Sequence, residues 1–96
     1  MLVTRTLITA ESVPRLAPHV TLKHDTVRDR WVVLGPERML VPDEIAVEIL
    51  QRCDGERSVA AVVGLLAKEF NAPEDDIAGD VRELLQALAD KGFVRA

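Results

Sequence analysis

Polar and apolar residues first alternate along this chain and then recur at helical spacing, and the change of period divides it. Val20 and Leu22 alternate with Thr21 and Lys23 from His19 onward, the period-2 pattern of a half-buried strand. The polar stretch "HDTVRDR" turns the chain, and Trp31 to Leu34 follows as a β-branched and aromatic run suited to a strand covered on both faces. Gly35 and Pro36 stop that run, and "GPER" is a four-residue turn into Met39, Leu40 and Val41. Together these segments predict a three-stranded antiparallel meander.

After Val41 the period lengthens. Pro42 ends the sheet and is expected to open a helix, with Asp43 and Glu44 in the first turn, where carboxylates complement the helix dipole. Ile45, Ile49, Leu50 and Cys53 then recur at helical spacing until Asp54-Gly55 stops the run. Ser58 is a good N-cap for a second helix striped by Val59, Val62, Val63, Leu66 and Phe70. A third helix opens at Glu74, Asp75 and Asp76, carries Ile77, Val81, Leu84, Leu85 and Leu88 on one face, and ends at Gly92. Phe93 and Val94 should fold back onto the core. The order β-β-β-α-α-α defines an α+β domain, similar to a winged helix-turn-helix with the sheet placed first. Residues 1–18 contain Pro14 and Pro18 without a clean period and read as a flexible tail or linker, leaving 19–96 as the folded domain.

Composition narrows the function classes. With 96 residues the chain makes one modest core, and 48% hydrophobic but only 3% aromatic residues mean that Val, Leu, Ile and Ala must build it. A winged-helix DNA-binding regulator is the second-ranked reading, but its last helix would enter the major groove. Here that helix carries Glu74, Asp75, Asp76, Asp80, Glu83 and Asp90 against Arg82 and Lys91, and the whole chain has a net charge of -4. Nucleic acid is therefore not an expected partner. One cysteine excludes an intramolecular disulfide, the N-terminus lacks a continuous apolar run, and no later segment approaches a membrane span, so the expectation is cytoplasmic.

Catalysis lacks a constellation. His19, His24 and Cys53 are the candidate groups, and the two histidines stand five residues apart, on opposite sides of a strand. Close ligand pairs of the C-x2-C or H-x3-H kind are missing, and Gly55 and Gly64 make no phosphate loop, so no metal, cofactor or catalytic residue is expected. What remains is the third strand. Its free edge, Arg38, Met39, Leu40 and Val41, lacks most of the devices that blunt sheet edges, and such an edge accepts an extended peptide as an added strand. Val81, Leu84, Leu85 and Leu88 of the third helix would floor a groove beside it. Leu84 and Leu88 are assigned mainly to the core, while Val81 and Leu85 are expected to share between core and groove. Trp31 reads as a packing residue rather than a recognition platform.

"PRLAPHVTLKHD", "RWVVLGPERMLV", "AVEILQRCDGERSVAAVV" and "DVRELLQALADKGFV" together resemble the PqqD family, the peptide chaperones of pyrroloquinoline quinone (PQQ) biosynthesis. The likeness runs from Pro14 to Val94, with Val41-Pro42 standing where the family commonly has Leu-Asn. The resemblance implies a recognition element for a ribosomally made precursor peptide, a RiPP recognition element. It would bind the peptide PqqA and present it to the radical SAM enzyme PqqE, which joins a glutamate to a tyrosine. It implies no catalytic duty and no cofactor. Some members are fused behind PqqC, an origin with which a linker at 1–18 would be compatible.

Overall fold

The computed structural model describes residues 6–96. The elements run β1 (Arg15–Leu16), β2 (Thr21–Asp25), β3 (Arg30–Leu34), β4 (Met39–Leu40), α1 (Glu44–Gln51), α2 (Val59–Phe70), α3 (Glu74–Asp90) and β5 (Val94–Arg95). The expected α+β architecture is present: an antiparallel sheet in the order β2-β3-β4, with three helices after it. Leu22 pairs with Val33 and Val33 with Leu40, so these side chains share the sheet face that meets the helices. The core is mainly aliphatic, with Val33, Ile49, Val59, Val62, Val81 and Leu85 all at 1% exposure or less and Phe93 and Cys53 buried among them.

Local chemistry sets the boundaries. At the β2–β3 turn the Asp25 carboxylate accepts the Val27 and Arg28 backbone N–H groups at 3.1 and 3.3 Å, which with the Arg28 guanidinium holds its pKa below the ordinary carboxylate value. Asp43, not Pro42, begins the first helix. Asp43 is the N-cap, extended at ψ 176°, and its carboxylate accepts the Ala46 N–H at 2.8 Å. Capping needs a side-chain acceptor, which aspartate has and proline lacks, so Pro42 stays outside. Cys53 likewise lies beyond the end of α1, though buried.

"CDGERS" is a complete helix-to-helix junction. Gly55 sits at φ +79°, a conformation costly for residues with a Cβ. The Asp54 carboxylate accepts the N–H groups of Glu56 and Arg57 at 2.9 and 3.0 Å, and the Ser58 hydroxyl caps α2 through the Ala61 N–H at 3.1 Å. Arg52 then ties α1 to α2, bonding Glu48 at 2.8 Å and pairing with Glu69. At the far end α3 closes through Gly92 at φ +84° and the Phe93 N–H to Leu88 C=O bond of 2.9 Å, which returns Phe93 and Val94 to the core as expected.

Residues 6–18 do not hang free as the linker reading of 1–18 expects; residues 1–5 lie outside the described range. β1 pairs with β5, Leu16 opposite Val94, and the N–H groups of Gly55, Val59 and Ala60 donate to the carbonyls of Pro14, Ser12 and Ala10 at 2.8 to 3.0 Å. Ile8 and Pro14 are buried. This strap is fastened mostly through its backbone, and backbone bonding leaves no side-chain period to read. Phe70 also departs from its predicted stripe. It is 56% exposed, because the stripe of α2 continues past the point where α1 and α3 cover it.

Candidate functional site

The open edge is built by alternation in the β3–β4 ladder. Gly35 donates its N–H to the Arg38 carbonyl at 2.8 Å, which makes Gly35 and Arg38 a hydrogen-bonded pair. In antiparallel strands such pairs alternate with non-bonded ones. Leu34/Met39 is therefore the non-bonded pair and Val33/Leu40 the next bonded one. Leu40 spends its N–H and C=O on Val33, whereas Met39 turns both groups outward, and continuing the pattern Val41 does so too. Sheet order leaves β4 at the border, with no strand beyond it among the described residues.

A groove begins beyond the end of that border, at Asp43, two residues after Val41. The Arg38 guanidinium donates to the Lys91 carbonyl at 3.2 Å, tying the start of β4 to the C-terminal end of α3. Two hollows lie side by side between α1 and α3. One, of ≈ 420 Å³, is lined by Asp43, Ile45, Ala46, Ile49, Asp80, Glu83, Leu84 and Ala87. The other, of ≈ 240 Å³, shares Ile45, Ile49 and Asp80 and reaches α2 at Leu66 and Phe70.

Helical geometry decides which α3 residues reach this groove. At about 100° per residue, Val81, Leu85 and Leu88 fall at the centre of the buried stripe, while Leu84, Asp80, Ala87 and Glu83 succeed one another around one flank. Val81 and Leu85 are at 0% and Leu88 at 6% exposure, so all three are core residues that support the groove from beneath. Leu84 is half-buried and lines the larger hollow, the reverse of the split expected between Leu84 and Leu85. On the strand, Arg38 is exposed, Met39 and Val41 are 54% and 52% exposed, and Leu40 packs on the core. The sequence reading missed Ile45, Phe70, Asp80 and Glu83. Ile45 and Phe70 carried a signal, being large apolar residues at the first and last turns of their helices, where a core stripe runs out of cover.

The candidate catalytic groups do not converge. The Cys53 thiol is buried and donates to the Ile49 carbonyl at 3.2 Å, and burial, helped by the Asp54 charge, pushes its pKa up to about 12. Such a thiol stays protonated. His24 lies in the hairpin, 3.2 Å from the Asp29 carboxylate and with its ring centroid 5.2 Å from that of Trp31. Among the described residues no group of three or more His, Cys, Asp or Glu side chains is placed to hold a metal, and no helix is long and apolar enough to cross a membrane.

An α+β domain with a bare strand edge and a helix-walled apolar groove has the architecture of a peptide-recognition element. The family model for coenzyme PQQ synthesis protein D (PqqD) matches residues 30–94. A PqqA binding protein of Rhodopseudomonas palustris (strain HaA2) is 53% identical over 87 residues, covering 91% of this chain and 85% of its own length. The chain belongs to the PqqD family. Among solved structures it is similar to the PqqD truncation of Methylobacterium extorquens PqqCD, described as a functional and stand-alone RiPP recognition element. That match has a TM-score of 0.82 and 33% identity over 95% of this chain and 97% of the other. Lasso peptide synthetase B1, solved with its leader peptide, shares the fold at a TM-score of 0.74 and 22% identity, over 88% of this chain and 100% of its own.

Proposed function

We propose that this domain is a non-catalytic peptide chaperone of PQQ biosynthesis that binds the precursor peptide PqqA as a fourth strand along β4 and presents it to the radical SAM enzyme PqqE. The observation that carries this reading is the outward-facing backbone of Met39 on an outer strand that Arg38 ties to α3, a wall of the groove. Main-chain hydrogen bonds to that strand supply affinity, and alternate guest side chains turn toward α3, where Leu84 offers contact. Leu40, Val81, Leu85 and Leu88 hold the groove in shape from below, and Arg38 fixes β4 to α3. Binding is of moderate strength, because a disordered guest loses conformational freedom when it orders. Relatives named for PqqA binding support the choice of guest. The PqqCD neighbour supports an association with PqqC in some members. Cytoplasm is the compartment this role requires.

An amide chemical-shift titration of the domain with PqqA tests the reading. The largest shifts should fall on Met39, Val41 and the Asp80–Ala87 flank of α3. Shifts confined to β2 or to the residue 6–18 strap, with β4 unmoved, would refute it.

A further inference from the structure

The strand edge explains how a guest is held but not which guest, and the two hollows carry that information. The smaller one is almost wholly apolar and opens between Ile45 and Phe70, which stand 61% and 56% exposed at its mouth. Apolar side chains at helix ends left this open gain little from solvent, and a guest residue seated between them would remove both from water. Around this mouth the charge has one sign. The lining acids are Asp43, Glu48, Asp80 and Glu83, and no Lys, Arg or His lines either hollow. Two of these acids are already engaged: Asp43 caps α1 through the Ala46 N–H and Glu48 pairs with Arg52. Asp80 and Glu83 have no ion-pair or hydrogen-bond partner among the described residues. Asp80 borders both hollows, so a carboxylate without a partner sits at the seam between the larger hollow and the apolar cup.

We infer that the groove selects an extended peptide segment in which one large apolar side chain, seated in the Ile45–Phe70–Ile77 cup, is flanked within a residue or two by a lysine or arginine that meets Asp80 and Glu83. This selectivity rests on the strand-addition reading and adds to it. Strand pairing alone is blind to sequence, so discrimination among guests must come from side-chain pockets and from charge. An acidic rim repels a guest whose apolar residue is flanked by Asp or Glu, and it does so before contact, through encounter rate as well as residence.

The test is calorimetric titration of PqqA into the domain and into two exposed-site variants, Asp80→Asn combined with Glu83→Gln, and Ile45→Ala combined with Phe70→Ala, at low and at high salt. The charge variant should bind about three- to tenfold more weakly at low salt and lose most of its salt dependence. A PqqA peptide with every Lys and Arg replaced by Gln should lose the same factor on the native domain and nothing further on the charge variant. The apolar variant should weaken binding about tenfold or more at both salt concentrations. Amide shifts recorded in parallel separate the two claims. If β4 amides shift on binding but neither variant changes affinity, the selectivity is overturned while strand addition stands. If β4 amides do not shift, strand addition fails and this inference falls with it.

Discussion

Single residues on β4 differ in ways that composition alone hides. Met39 and Leu40 are neighbours of similar character, yet the ladder register gives Leu40's N–H to Val33 and leaves Met39's facing outward. Proline at the two positions should therefore affect different properties. Met39→Pro deletes an outward donor on an edge strand, a place where proline is tolerated, so the fold should survive and PqqA affinity should fall about tenfold. Leu40→Pro breaks the internal ladder and should cost about 2 kcal/mol of stability in a denaturant melt. Equal losses of stability in the two variants would contradict the register. Cys53 makes a second residue-scale prediction. Its folded pKa of about 12 lies above the ordinary thiol value of 9.0, so above pH 9 the unfolded chain releases a proton that the folded chain retains. The stability that the neutral thiol contributes is fully present below pH 9 and is lost as pH rises toward 12. Alkylation by iodoacetamide at pH 8 should proceed only as fast as the domain opens, and rapid labelling of the native protein would show the thiol to be accessible.

Elements divide the labour around α3, whose two flanks serve different ends. Gln86 lies about 200° from Leu84 around the helix and faces the strap rather than the groove. Its carboxamide accepts the Ile8 N–H at 2.9 Å and donates to the Thr6 carbonyl at 2.8 Å, as a neighbouring strand would. Gln86→Ala should lower stability by about 1 kcal/mol and speed amide exchange at Ile8 while leaving PqqA affinity unchanged. Reduced affinity would mean that the strap and the groove are coupled. This division also explains what the sequence could and could not reveal. The three-stranded sheet, the three helices, the Ser58 cap and the return of Phe93 were legible, because each rests on a local period or a capping residue. β1 and β5 were not, because strands of two residues have no period. The strap was not, because its bonds are made by backbone atoms with Gly55, Val59 and Ala60. Likewise β4 could be recognised as an edge from strand order, but the choice of Met39 over Leu40, or of Leu84 over Leu85, depends on phases that hydrophobicity does not encode.

At the scale of the molecule, the sheet and α3 form one unit on which a guest would act. Arg38 bonds Lys91 and so ties β4 to the C-terminal end of α3, and α3 runs on into β5, which pairs with the strap. A peptide lying between β4 and α3 therefore bridges parts that separate when the domain unfolds, and the unfolded chain has no assembled groove to offer it. A ligand that binds only the folded state stabilises it by about 2.7 kcal/mol at a free concentration one hundred times its Kd. For a domain near this size each kcal/mol raises the melting midpoint by about 4–8 °C. PqqA at that excess should thus raise the midpoint by about 10–20 °C, and the rise should grow with the logarithm of peptide concentration. Duplex DNA at equal mass should give no rise, since a chain of net charge -4 whose α3 opens on Glu74, Asp75 and Asp76 repels a phosphate backbone. Scanning calorimetry across a peptide series with DNA as the control decides the matter. A midpoint indifferent to PqqA would remove the peptide from the folded domain, and a rise with DNA would revive the winged-helix regulator.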